Sequence, residues 1–214
     1  MSSRICKAVI VGVVIAVTVL SLITPPYPED QLLQQSGTVL LLAPLFWDIR
    51  HDRLWWSSFL GIALFTILHI IGARWIYSFV PYEEWVNTLA GMDLDGMLGL
   101  RRNCYDRFVH LAYGILLFPV MLQSVRRWVT ARQGTSVFVT WLMVQTGSML
   151  YELFEWVLTL VLSPEAADNF NGQQGDMWDA QKDMAAAMVS STLTAVACMA
   201  LLYHQRHNRK TIRR

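Results

Sequence analysis

Asp106 and His110 lie four residues apart, Glu152 and Glu155 three apart, and Asp176, Asp179 and Asp183 are spaced by three and then four. Spacings of three and four bring side chains onto one face of a helix, so each set presents its oxygens or imidazole in one direction. The last set forms a single stripe if its helix starts near Gly175. Carboxylates joined by one imidazole suit Mg²⁺, Mn²⁺ or Zn²⁺ better than thiophilic metals. Asp106, Glu152, Glu155, Asp176 and Asp179 are therefore the candidate metal ligands, and His110 and Asp183 the candidate catalytic pair, each as ligand or general base. A carboxylate one turn before a histidine orients the ring and raises its basicity. Three compensations answer the same cluster. A divalent cation neutralises it, protons shared among the carboxylates do so, or Arg107 and Lys182 pair with them in a network that only positions helices.

The elements that must hold these residues are membrane spans. The chain has 214 residues, of which 54% are hydrophobic and 15% charged, with a mean hydropathy of +0.37. Soluble domains carry roughly 25% charge, so the surface is too poor in charge to face water all round. A net charge of +1 provides no field for polyanions. No P-loop, dinucleotide glycine pattern or GxSxG elbow is present, and no nucleic-acid partner is expected. Cys6, Cys104 and Cys198 are far apart and form neither a CxxC pair nor a disulfide framework. The fold expected is all-α, a polytopic transmembrane bundle in a single domain over 1–214, with a basic tail over 204–214.

A bilayer core of about 30 Å asks for about 20 apolar residues per helix. Six stretches approach that length, at about 6–23, 31–47, 54–79, 104–125, 136–162 and 181–203. The first stops at Thr24-Pro25-Pro26-Tyr27-Pro28 and is expected to stay as an anchor, since no small-residue cleavage pattern follows it. With both termini in the cytoplasm, twelve of the seventeen Lys and Arg residues fall on that side, as the positive-inside rule requires. Most of the nine Trp residues then fall near the two interfaces as an aromatic belt.

In this arrangement Asp106, His110, Glu152, Glu155, Asp176, Asp179 and Asp183 all fall in one layer toward the outer leaflet. Each intramembrane ionisable group costs roughly 2.5–3.5 kcal/mol on insertion scales, so such a layer needs a compensating partner. The fourth, fifth and sixth spans are predicted to pack together with these side chains converging. His69, in the outer half of the third span, has no partner near it in sequence and reads equally as a packed histidine.

Four stretches resemble the YjdF family of bacterial inner-membrane proteins, a domain of unknown function. They are His69 to Tyr82, Asn103 to Gly114, Tyr151 to Trp156 and Gly172 to Met184, the last with the run Gln174-Gly175-Asp176-Met177-Trp178-Asp179-Ala180-Gln181-Lys182-Asp183-Met184. The resemblance covers about 30–203 and implies a multi-pass protein of the bacterial inner membrane. Arg74 stands where the family pattern has His, and Phe79 where it has a carboxylate, so a family site using those side chains is weakened here. The run Asp106-Arg107-Phe108-Val109-His110 is also similar to the Asp-Lys/Arg-x-x-His start of VanZ-like membrane proteins, which implies an envelope substrate.

The function expected is a divalent-metal-dependent enzyme, a hydrolase or transferase working on an envelope, lipid-linked or lipid-headgroup substrate within the bilayer. A small proton-coupled transporter and a structural or assembly protein are the alternatives.

Overall fold

The computed structural model describes residues 2–212, with side chains through His204. Most of the expected basic tail, beyond His204, thus lies outside the residues whose side chains are described. Ten helices follow in order: α1 (Ser3–Ser21), α2 (Pro28–His51), α3 (Trp56–Arg74), α4 (Tyr82–Ala90), α5 (Leu94–Leu98), α6 (Tyr105–Leu116), α7 (Phe118–Trp128), α8 (Gln133–Val161), α9 (Pro164–Asn171) and α10 (Asp179–Ile212). There is no strand among the described residues.

Five segments are long and apolar enough to cross a membrane: α1, α3, α6 with α7, α8, and α10 to His204. The chain is an integral membrane protein. The fourth crossing is interrupted, because Pro119 in the first turn of α7 cannot supply an N–H to the preceding turn. α2 carries too many polar residues to count by composition, yet its 24 residues reach about 36 Å. At one end of α2 the Gln31 side-chain amide donates to the Ser21 carbonyl at 2.9 Å. At the other, Asp48 meets Lys7 at 2.6 Å. α2 therefore runs antiparallel along the whole of α1, crosses the same thickness, and supplies the sixth pass.

Lys7 and Asp48, which look like loop charges in the sequence, are 1% and 0% exposed. The Lys7 ammonium also reaches Asp52 at 2.7 Å and sits 5.3 Å from the ring centres of Trp56 and Phe59. Asp48 further accepts the Arg53 and Leu54 backbone N–H groups, each at 2.7 Å. This cluster ties the start of α1 to the α2–α3 turn. Lys7 also holds the Asp52 carboxyl below its usual range by hydrogen bonding to it.

The Gln123 side chain donates to the Arg53 carbonyl, Arg126 lies over Trp55, and Cys198 and Leu202 pack beside Val137. The starts of α1 and α8 and the described end of α10 thus lie at one end of the bundle. The other end holds the starts of α6 and α10 and the last turns of α3 and α8. Small residues set the helix spacing between the two ends. A Cβ on Gly114 would strike the Ala187 carbonyl and the Ser190 hydroxyl, and one on Gly61 would strike the Leu116 carbonyl. Backbone contact of this closeness is the usual way that spans associate without a hydrophobic driving force. It sets α6 beside α10 in parallel and brings Asp106 level with Asp179 and Asp183.

Candidate functional site

The candidate residues enter this end from three long helices and one turn. Asp106 and His110 come from the first turns of α6, and Glu152 and Glu155 from the last third of α8. Asp179 and Asp183 come from the first turn and a half of α10. Asp176 is not on that helix, because α10 begins three residues later than a single stripe requires. Positive φ at Gln174 (49°) and Gly175 (81°) turns the chain first, so Asp176 projects from the turn instead.

One half of the cluster is compensated by cations. The Arg102 guanidinium donates to Asp106 at 2.8 Å and to Asp179, and its other nitrogen donates to the Gly172 carbonyl at 2.8 Å. Arg107 donates to Asp176 at 2.5 Å and to Asp179 at 3.2 Å. Lys182 donates to both oxygens of Asp176, at 2.9 and 2.6 Å. The Lys182 hydrogen bond is the main reason the Asp176 carboxyl is lowered to about 2. Arg102 is the cation that sequence reasoning missed. Its only local signal is the spacing of four to Asp106, across a helix start that the sequence does not mark.

The other half is less fully paired. One ligand atom each from His110, Glu152 and Asp183 lie within 4.8 Å of one another, and so do atoms of Asp106, Asp179 and Asp183. Asp183 belongs to both groups. In the second group the arginines already occupy the space between the oxygens. In the first, His110 Nε2 is 3.4 Å from Glu152 Oε1 without hydrogen-bond alignment, and Arg107 Nε is 3.9 Å from Asp183 Oδ1. Glu152 Oε1, Asp183 Oδ1 and His110 Nδ1 are buried without a hydrogen-bond partner. The Glu152 and Asp183 side chains are each 6% exposed. Buried polar atoms are nearly always paired, so the orphaned oxygens of Glu152 and Asp183, with the His110 ring beside one and the equally unpartnered Arg107 Nε beside the other, are a chemical feature.

A cavity of about 340 Å³ opens beside this group, lined by Asp106, His110, Glu155 and Asp183 at its polar end and by Leu40, Phe65, Val109 and Leu117 elsewhere. A second cavity of about 300 Å³, lined by Glu152, Glu155, Asp179 and Gln173, lies on the far side of the two glutamates. His69 and Tyr77 line the first cavity, with His69 Nδ1 2.6 Å from the Tyr77 hydroxyl. Tyr77 reaches that place through a strained turn, since Ile76 and Tyr77 have φ of 44° and 57°, uncommon for any side chain and costly for a β-branched one. Gly72 makes room, because a Cβ there would lie 2.6 Å from the Tyr77 ring.

Around the arginines, polar pairs tie the connecting segments together. Gln174 accepts from the Asn103 backbone N–H at 3.1 Å and donates to its carbonyl at 3.0 Å. The Tyr82 hydroxyl accepts from the Cys104 N–H at 3.1 Å and donates to Asp95 at 3.0 Å, and burial raises that phenol to about 12. Arg74 and Phe79, the two departures from the family pattern, serve the first span instead. Arg74 caps α1 through the Ser21 and Ile23 carbonyls at 2.6 and 3.0 Å, and Phe79 stacks on Tyr27 at 5.1 Å.

The family described as "Predicted membrane protein (DUF2238)" matches residues 6–206. The chain is 30% identical over 175 residues to inner membrane protein YjdF of Escherichia coli (strain K12), covering 81% of this chain and 74% of that protein. No solved structure matches the chain.

Proposed function

The chain belongs to the DUF2238 family of predicted membrane proteins, and from that premise we propose that it is an inner-membrane enzyme that binds a divalent cation on His110, Glu152 and Asp183. The observation that carries this reading is the buried group of His110, Glu152 and Asp183, whose ligand atoms lie within 4.8 Å of one another and whose two carboxylates each keep an unpartnered oxygen, beside a cavity. Six carboxylates meet only Arg102, Arg107 and Lys182 in this layer, and a divalent cation offsets most of the remaining negative charge. Three protein ligands with an open position are the usual form of a catalytic site, where the cation polarises a substrate oxygen or activates water. Mg²⁺, Mn²⁺ and Zn²⁺ all suit the donor set, with the single imidazole favouring Mn²⁺ or Zn²⁺.

In this reading Asp106, Asp176 and Asp179 hold Arg102 and Arg107 in place, and Glu155 faces the substrate cavity. The reaction is hydrolysis or transfer on an envelope or lipid-headgroup substrate. The relative's inner-membrane name supports that location. The basic residues Arg4, Arg50, Arg53, Arg126, Arg127 and Arg132 are the basis for turning the opposite end of the bundle to the cytoplasm.

Metal analysis of protein purified from membranes tests the site. About one Mn²⁺ or Zn²⁺ per chain is expected, lost in Asp183→Asn and His110→Gln but kept in Asp176→Asn. Substoichiometric metal in the parent protein, together with no thermal shift on adding Mg²⁺, Mn²⁺ or Zn²⁺, refutes it. A second reading is favoured by Glu155, which lines both cavities beside Glu152, the kind of place where a proton-coupled carrier exchanges protons. Solute accumulation in cells that is abolished by Glu152→Gln, with no metal requirement, decides for the carrier.

A further inference from the structure

We infer that the cavity beside His110 and Asp183 is a lipid-chain pocket entered sideways from the bilayer, so that the substrate of the proposed metal site is a membrane lipid whose head sits among Tyr77, His110 and Asp183. This inference rests on the metal reading for the chemistry but not for the binding.

The cavity does not close off from the outside of the bundle. Leu40 of α2 lines it and is 77% exposed, and Tyr151 of α8 lines it and is 38% exposed. In a membrane-spanning chain, side chains exposed at mid-helix face hydrocarbon rather than water. α2 packs on α1, α3 and α9, while α8 packs on α7, α9 and α10, so the short helix α9 is the bridge between them. α9 crosses this gap at the polar end of the bundle, where Gln34 of α2 donates to the Phe170 carbonyl and Asn169 donates to Asp30. Of the cavity-lining residues of α2 and α8, Leu40 and Tyr151 are the exposed ones.

The interior is graded from apolar to polar. Leu41, Phe65, Val109, Leu117 and Phe170 line the apolar part, and Tyr77, His110, Glu155 and Asp183 the other. A hydrocarbon chain meets the first set while an oxygen-bearing head meets the second. At about 340 Å³ the space is at the small end of ligand pockets, which run roughly 300–1,000 Å³, and it takes part of one chain rather than two. The head's oxygens would then lie beside His110 and Asp183, which with Glu152 would hold the cation. The strain at Ile76–Tyr77 and the missing Cβ at Gly72 hold that hydroxyl in the cavity.

The test uses full-length protein in nanodiscs of phosphatidylglycerol containing a small fraction of the same lipid with a photoreactive diazirine on one acyl chain. After illumination, adducts are mapped by mass spectrometry with and without EDTA. Adducts are expected inside the cavity at Phe65, Val109 or Leu117 as well as on lipid-facing residues of α10 such as Leu193 and Val196. Leu40→Trp, which fills the opening from an exposed position, should abolish the interior adducts and leave those on Leu193 and Val196. Leu193→Trp should leave the interior adducts in place. Interior adducts that are absent from the parent protein, or that Leu40→Trp does not change, overturn the pocket. Interior adducts in protein that holds no metal uphold the pocket and remove the metal reading. A metal-loaded protein with no interior adducts does the reverse.

Discussion

Arg102→Met should destabilise the protein and turn the compensated half of the site into a cation site. The Arg102 side chain is 10% exposed, and the Asp106 and Asp179 side chains it joins are 14% and 4% exposed. Removing one partner of a buried pair costs about 3–5 kcal/mol, because the carboxylates left behind are neither solvated nor paired. Arg107 remains 3.2 Å from Asp179, and its backbone N–H still donates to Asp106 at 2.6 Å. These survivors place the loss near the lower figure, about 3 kcal/mol. For a chain of this length each kcal/mol moves Tm by about 2–4 °C, so a fall of about 6–12 °C is expected in detergent.

The loss should also be rescued in a specific way. Asp106, Asp179 and Asp183 present ligand atoms within 4.8 Å of one another, and Arg102 is the group that neutralises two of them. Millimolar Mg²⁺ or Ca²⁺ should restore several degrees to Arg102→Met beyond any shift that the same ion gives the parent protein. Arg102→Met combined with Asp179→Asn should be more stable than Arg102→Met alone, since one uncompensated charge is gone. Differential scanning fluorimetry across the four proteins of this double-mutant cycle gives the coupling. An Arg102→Met protein that melts within about 2 °C of the parent, or additive effects of the two substitutions, would refute the buried network as described.

Two more outcomes follow. Lys7→Met leaves Asp48 buried with only its two backbone donors, and should cost about 3–5 kcal/mol; limited proteolysis should then cut the turn between α2 and α3, which stays protected in Arg4→Met. Asp176, held down to about 2 by Lys182, contributes stability that is fully present above its unfolded value of about 3.9 and is lost as pH falls through about 2. The melting temperature of Lys182→Met should therefore lie below that of the parent at pH 5 to 7, with the gap closing only in strong acid, and a constant gap from pH 7 to pH 2 would contradict the pairing.

Composition and local spacing already carry the membrane class, the approximate spans and the three groups of ionisable residues. Apolar run length is a one-dimensional property, and spacings of three and four act within a single helix, so both can be read along the chain. α2 shows where that ends. Its Gln31, Gln34 and Gln35 read as the start of a weak span, and their place against Ser21 and α9 appears only when the helices pack. The convergence of Asp106 with Asp179 and Asp183 depends on Gly114 lying against Ala187 and Ser190, a contact between residues more than seventy positions apart. The division of seven candidate residues into a set held by Arg102, Arg107 and Lys182 and a set with orphaned atoms is likewise a matter of tertiary distance. Tyr77 is the clearest case, because neither its type nor its neighbours mark it. Only a turn with two left-handed residues, permitted by the bare backbone of Gly72, carries its hydroxyl to His69 and into the cavity. Charge and hydropathy are written in the residues, but which charges remain unpaired is decided by which helices meet.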